Sequence, residues 1–210
     1  MKHLKNTTNR SNNQRMRPVL SDLKCFRIHV VFFMLLGFST SFGQSLNENW
    51  KSDLTVSLEQ FLTCTNSTGE KYECSTFIGE SIAKVYKTNA FFSEKLRRYL
   101  RINEIPKSLG ESGQWTSLGY AYDQDALVKA QNNANASKAV IAVYTTASGI
   151  GHIALILPGK LQYSGSWGFN VPNAASFSFS DSGKSFVDKG LSYAFAKNMI
   201  KDVVLYSRNY

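Results

Sequence analysis

The chain has 210 residues with 24 Lys/Arg against 15 Asp/Glu, a formal charge of +9, and its length suits one domain plus a leader. Residues 1–43 hold seven Lys/Arg and a single acid, Asp22, so only +3 remains on residues 44–210. That remainder has no basic stripe long enough to bind phosphates, which excludes nucleic acid as the expected partner.

Residues 1–43 read as a signal peptide. A basic stretch ends at Arg27, an apolar run follows from His29 to Phe38, and Ser41 and Gly43 then stand two apart. Small residues at that spacing suit a signal peptidase, so cleavage is expected near Gly43/Gln44. A membrane span needs about 20 apolar residues. The run is much shorter, so no stable anchor is expected, and no Cys stands at the cleavage point to carry a lipid. The mature protein, 44–210, is predicted to be exported to the periplasm or beyond, with one hydrophobic core. Met16 is an alternative start.

Trp50, Leu54, Leu58, Phe61 and Leu62 repeat at helical spacing and predict an amphipathic helix over 47–63. The polar run 65–71 predicts a loop. A second helix is expected from Cys74 to about Lys87, burying Phe77, Ile78, Ile82, Val85 and Tyr86. A third is expected over 91–100 and closed before Pro106, with Arg97, Arg98 and Arg101 as its solvated face. Residues 107–119, with three Gly, read as a connection. Asp123 is a predicted N-cap for a helix ending near 132–135. The pattern then changes: 139–144, 152–157 and 160–164 are short runs bounded by turn residues and predict strands. Residues 177–179 and 203–206 are weaker strand candidates, and 191–197 a short helix. Helices followed by a mostly antiparallel sheet make an α+β fold.

Of three His, His3 and His29 belong to the leader, so His152 is the one imidazole of 44–210 and the natural acid–base group near neutral pH. One His, two Cys and no tight acidic cluster do not make a metal site, and no cofactor is expected. Cys74 falls at a predicted helix start, where unpaired N–H groups and the dipole favour thiolate and supply a donor for an oxyanion. His152 follows Gly149-Ile-Gly151, whose small residues leave space for substrate. A competing reading pairs Cys64 with Cys74, because disulfides persist outside the cytosol. Such a bridge would stabilise by ~2–3 kcal/mol, and a bonded Cys74 is no nucleophile. Reversible pairing, as an oxidised resting form, reconciles the two.

Tyr72-Glu-Cys-Ser-Thr-Phe-Ile78 resembles the nucleophile segment of NlpC-type cell-wall peptidases, and Gly151-His-Ile-Ala-Leu-Ile156 resembles the His strand of the NlpC and CHAP families. The likeness spans about residues 71–167. It implies a papain-like fold and hydrolysis of peptidoglycan amide bonds, within the stem peptide or between sugar and peptide. By that analogy Cys74 attacks and His152 shuttles the proton, while Tyr72, Glu73 and Ser75 line the substrate mouth. Glu73 departs from the family's Asp at a position near the substrate's amino group. Ser164 lies at the family's spacing for the residue that orients the His. Ser166, Asn170, Asn173 or a carbonyl are alternatives, since a neutral polar group suffices to fix the tautomer. Trp115 and Trp167 read as core or pocket wall.

A monomer acting on peptidoglycan is thus expected, with a protein inhibitor as a second candidate partner. Two other readings stand beside it: a non-catalytic exported binding or inhibitor domain that keeps its disulfide, and a papain-like enzyme acting on protein as a toxin.

Overall fold

Two short apolar runs within 140–156 form adjacent antiparallel strands at the centre of the sheet on which the domain is built. In a computed structural model, residues 45–67, 73–147 and 149–210 are described. The expected leader with its cleavage point, and Tyr72, lie outside those residues. The architecture is α+β, with four α-helices and an antiparallel six-stranded sheet among the described residues.

Helix α1 (Trp50–Asn66) buries Leu54 and Phe61, as its periodicity requires. A 3-10 turn, Glu73–Thr76, leads without interruption into α2 (Phe77–Tyr86), which buries Ile78, Ile82, Val85 and Tyr86. The predicted third helix is replaced by a small hairpin, β1 (Phe92–Ser93) with β2 (Arg98–Tyr99). Its apolar residues mimic helical spacing, yet Phe92 and Tyr99 meet across the two strands with ring centroids 5.2 Å apart, and Arg97 turns the chain at φ 55°. Arg98 is accordingly no solvated helix face. It grips Glu104 through two bonds of 2.7 and 2.9 Å.

The predicted connection 107–119 is also structured. It holds most of α3 (Ile105–Glu111), with Pro106 in the first turn, where its missing N–H costs nothing. Strand β3 (Trp115–Tyr120) follows, and Trp115 stacks flat on Phe91 at 5.1 Å. Helix α4 (Gln124–Asn135) starts as expected, with the Asp123 carboxylate accepting from Asp125 N at 2.9 Å.

The remaining strands are β4 (Val140–Thr146), β5 (Gly149–Ile156), β6 (Gln162–Ser164), β7 (Phe169–Val171), β8 (Asn173–Ser176), β9 (Phe186–Gly190) and β10 (Val203–Arg208). The main sheet has the order β3-β10-β4-β5-β8-β9, while β6 and β7 form a separate hairpin. The segment 191–197 coils into 3-10 turns at Leu191–Tyr193 and Lys197–Met199. Around β5 the cross-strand partners are small: Ala154 faces Ala142 on one side and Ser176 on the other, and Ile156 faces Ala174. Small side chains let a helix lie close to a sheet. Helix α2 packs along β5, and Tyr86 Oη donates to Ile156 O at 2.8 Å. Among the described residues no helix is long and apolar enough to cross a membrane.

Candidate active site

The position of His152 follows from the register of β5. Tyr144 pairs with His152, but the next partners are Thr145 and Ile150, so Gly151 is the extra residue of a β-bulge. Bulges re-aim the side chains beside them. Glycine is required here: a Cβ on residue 151 would stand 2.8 Å from Cδ1 of Tyr144.

Side chains two apart on a strand share a face. His152 therefore lies on the face of Ala154, whose partner on β8 is Ser176. The diagonal neighbours meet, with His152 Nε2 and Ser176 Oγ 2.7 Å apart. The ring of Phe195 closes a third side, edge-on at 5.4 Å, and is itself held because Trp167 Nε1 donates to the Phe195 carbonyl at 3.1 Å. Burial lowers the pKa of His152 from 6.5 to about 4, since desolvation penalises the charged ring. At neutral pH the imidazole is uncharged. In the tautomer in which Nε2–H donates to Ser176, Nδ1 keeps its lone pair and can take a proton.

Cys74 lies in the turn before α2, fully buried, and is disulfide-bonded to Cys64 in the last turn of α1, Cα to Cα 6.0 Å. In this state its sulfur is no nucleophile. The neighbouring Ser75 lines the same cleft as His152. Helix and strand run side by side with start facing start. From Ser75 to Tyr86 the chain rises about 16 Å, and from His152 to Ile156 about 13 Å. The Tyr86–Ile156 bond ties the far ends together. The loop after β2 completes this wall, because Ile102 N donates to Ser75 O at 3.2 Å. Glu104 stabilises that loop: it takes Arg98 and also accepts from Arg101 N at 2.8 Å. These bonds hold its carboxyl pKa at about 2.

The cleft has a volume of about 830 Å³, with His152, Ser176 and Tyr144 on its sheet side and Ser75, Ile102 and Phe195 around them. Among the described residues its charged lining residues, Asp181 and Lys184, pair with each other at 3.0 Å.

Ser164 is elsewhere. It sits on β6, with its Oγ 3.1 Å from Ser166 Oγ and accepting from Trp167 N, so the hydroxyl on the imidazole is that of Ser176. Asn170 N bonds Gln124, and the Asn173 side chain bonds Pro158 O and Asp188. Neither reaches the His. Glu73 falls in the turn beside Cys74, and its side chain is outside the described residues. Trp115 and Trp167 are buried, as core. Sequence reading missed Ser176 because Asn173-Ala-Ala-Ser176 has little β-propensity and the strand was expected to begin four residues later, at Phe177. Among the described residues no cluster of three His, Cys, Asp or Glu could hold a metal. No protein-family model and no curated protein matches the chain.

Proposed function

We propose that this chain is a cysteine hydrolase of papain-like, NlpC/CHAP-type architecture that cuts amide bonds in peptidoglycan once its Cys64–Cys74 disulfide is reduced. One observation carries the reading. A neutral imidazole, clamped through Nε2 by Ser176, faces a cleft shared with the residue next to Cys74, at the start of the helix packed along its strand.

The chemistry that this arrangement supports begins with reduction. Two electrons and two protons from a thiol or dithiol convert the bridge to two cysteine thiols, and the reductant becomes a disulfide. His152 Nδ1 then takes the Cys74 proton as sulfur attacks the amide carbonyl. Backbone N–H groups at the helix start are the expected donors to the oxyanion. The imidazolium gives its proton to the leaving amine as the C–N bond breaks, leaving a thioester. Water, deprotonated by the same ring, releases the carboxylate and restores the thiol.

The test compares oxidised and reduced protein on purified peptidoglycan, with Cys74→Ala and His152→Ala as controls. Fragment release by reduced wild type alone supports the proposal. Equal activity in Cys74→Ala, or none after verified reduction, ends it.

The disulfide itself favours a second reading, an exported binding domain stapled between α1 and the turn before α2. Thiol titration during turnover separates the two: cleavage that proceeds while both sulfurs resist alkylation rules out Cys74 as nucleophile.

A further inference from the structure

A second cavity adjoins the cleft. It has a volume of about 380 Å³, is floored by the β6–β7 hairpin, and shares Ser192 and Tyr193 with the first. The two form one groove, with His152 in one half and Ser164 in the other. None of the residues lining the second half is charged. Gln162, Ser166 and Ser192 present amide and hydroxyl groups, Ser164 being buried with its Oγ held by Ser166 and Trp167 N, and the aromatic surface comes from Tyr163 and Tyr193.

Both rings are unusually open, at 73% and 67% exposed. Tyr193, at the junction, is nevertheless held in place: Phe186 meets its edge at 6.0 Å and Lys189 Nζ lies 5.5 Å from its centroid. An exposed aromatic ring with an apolar face and a polar hydroxyl is an anchor for a ligand that is apolar on one side and polar at its rim. The cation beside this half, Lys189, lies against the Tyr193 ring and outside the lining residues, which supply uncharged hydrogen-bonding groups.

We infer that the groove beyond Tyr193 is a saccharide subsite that holds neutral N-acetylated hexosamines, with Tyr163 and Tyr193 as platforms and the serine hydroxyls on the sugar rim. The inference rests on the proposed peptidoglycan hydrolysis and narrows it. With glycan in this half and the reacting amide at His152, the bond cut is the one joining sugar to peptide.

The experiment is an amide-resonance titration of the disulfide-bonded full chain with a tetramer of N-acetylglucosamine and, separately, with an unglycosylated stem peptide. The saccharide should shift resonances of Gln162–Ser166 and Ser192–Tyr193. Tyr193→Ala and Tyr163→Ala should each weaken binding at least tenfold, and Tyr193→Phe should keep it within about threefold. Absence of saccharide-induced shifts in this segment overturns the inference, as does a stem peptide that occupies it without sugar. Binding to the oxidised protein needs no thiol, so the subsite stands or falls apart from catalysis. Cleavage of sugar-free peptides with no saccharide binding would leave the hydrolase and remove the subsite.

Discussion

Nε2 of His152 is engaged by the hydroxyl of Ser176, one strand away and diagonal in register. Among the described residues this is the imidazole's hydrogen bond, so it is the contact that orients the ring. On the proposed mechanism, Ser176→Ala should lower kcat of the reduced protein by about tenfold, part of what a positioned base supplies, with KM little changed. Its acid limb should also shift, which a purely structural lesion would not cause. Ser164→Ala should leave kcat within twofold. Steady-state kinetics across pH 3–9 measures both.

Burial of His152 also makes stability depend on pH. Its folded pKa, about 4, is below the free value of 6.5, so the unfolded chain binds the proton first. The contribution is complete above pH 6.5 and is lost as pH falls toward 4. Between pH 7 and 5 wild type should lose about 1–2 kcal/mol more than His152→Gln, the lower figure allowing for partial exposure of the ring at the cleft. Urea unfolding at the two pH values checks this. Equal losses would show that the ring titrates normally.

Cys64→Ser removes the bridge and leaves Cys74 as a thiol. It should cost ~2–3 kcal/mol of stability, as expected for a loop of this length. The variant should nonetheless cleave peptidoglycan without added reductant, whereas Cys74→Ser should be equally destabilised and inactive. Denaturation and fragment release, measured on the same samples, distinguish a staple from a lock.

Gly151→Ala forces a methyl into the ring of Tyr144. Such overpacking should cost about 1–3 kcal/mol, and Tyr144→Ala should relieve most of it. A double-mutant cycle reads the coupling, and additive effects would contradict the close approach.

Glu104→Gln should destabilise by roughly 1 kcal/mol, since both ends of its bond to Arg98 are only about 30% exposed. A carboxyl pKa of about 2 against 4.5 gives the opposite group but the same sense. Its contribution is full above pH 4.5 and is lost as pH falls through 2. The difference between wild type and variant should therefore shrink in acid, and calorimetry at pH 7 and 3 tests it.

Much of this arrangement was legible in the residues, and what escaped has physical causes. Helices α1 and α4 and strands β4, β5 and β10 declare themselves because one face or the whole segment is apolar, and burial follows hydropathy. The hairpin 92–99 did not, because its aromatic residues pair across strands at a spacing that also fits a helix. Strand β3 was hidden among glycines, and β8 among alanines, since edge pairing and close packing rather than propensity fix them. His152 stood out as the one imidazole of 44–210. Its partner could not, because Ser176 is chosen by register between strands 24 residues apart, which no local spacing encodes. The cysteine pairing was open on sequence alone, and proximity of α1 to the turn before α2 decides it in this structure.

The extra glycine in β5 has a consequence for how such a chain tolerates change. Because the two-for-one match at Gly151 absorbs the offset between β4 and β5, the hairpin tip beyond it can lengthen or shorten without rotating the imidazole to the opposite side. Variation at Thr146 and Gly149 is thereby insulated from the orientation of His152, which keeps its bearing toward Ser176.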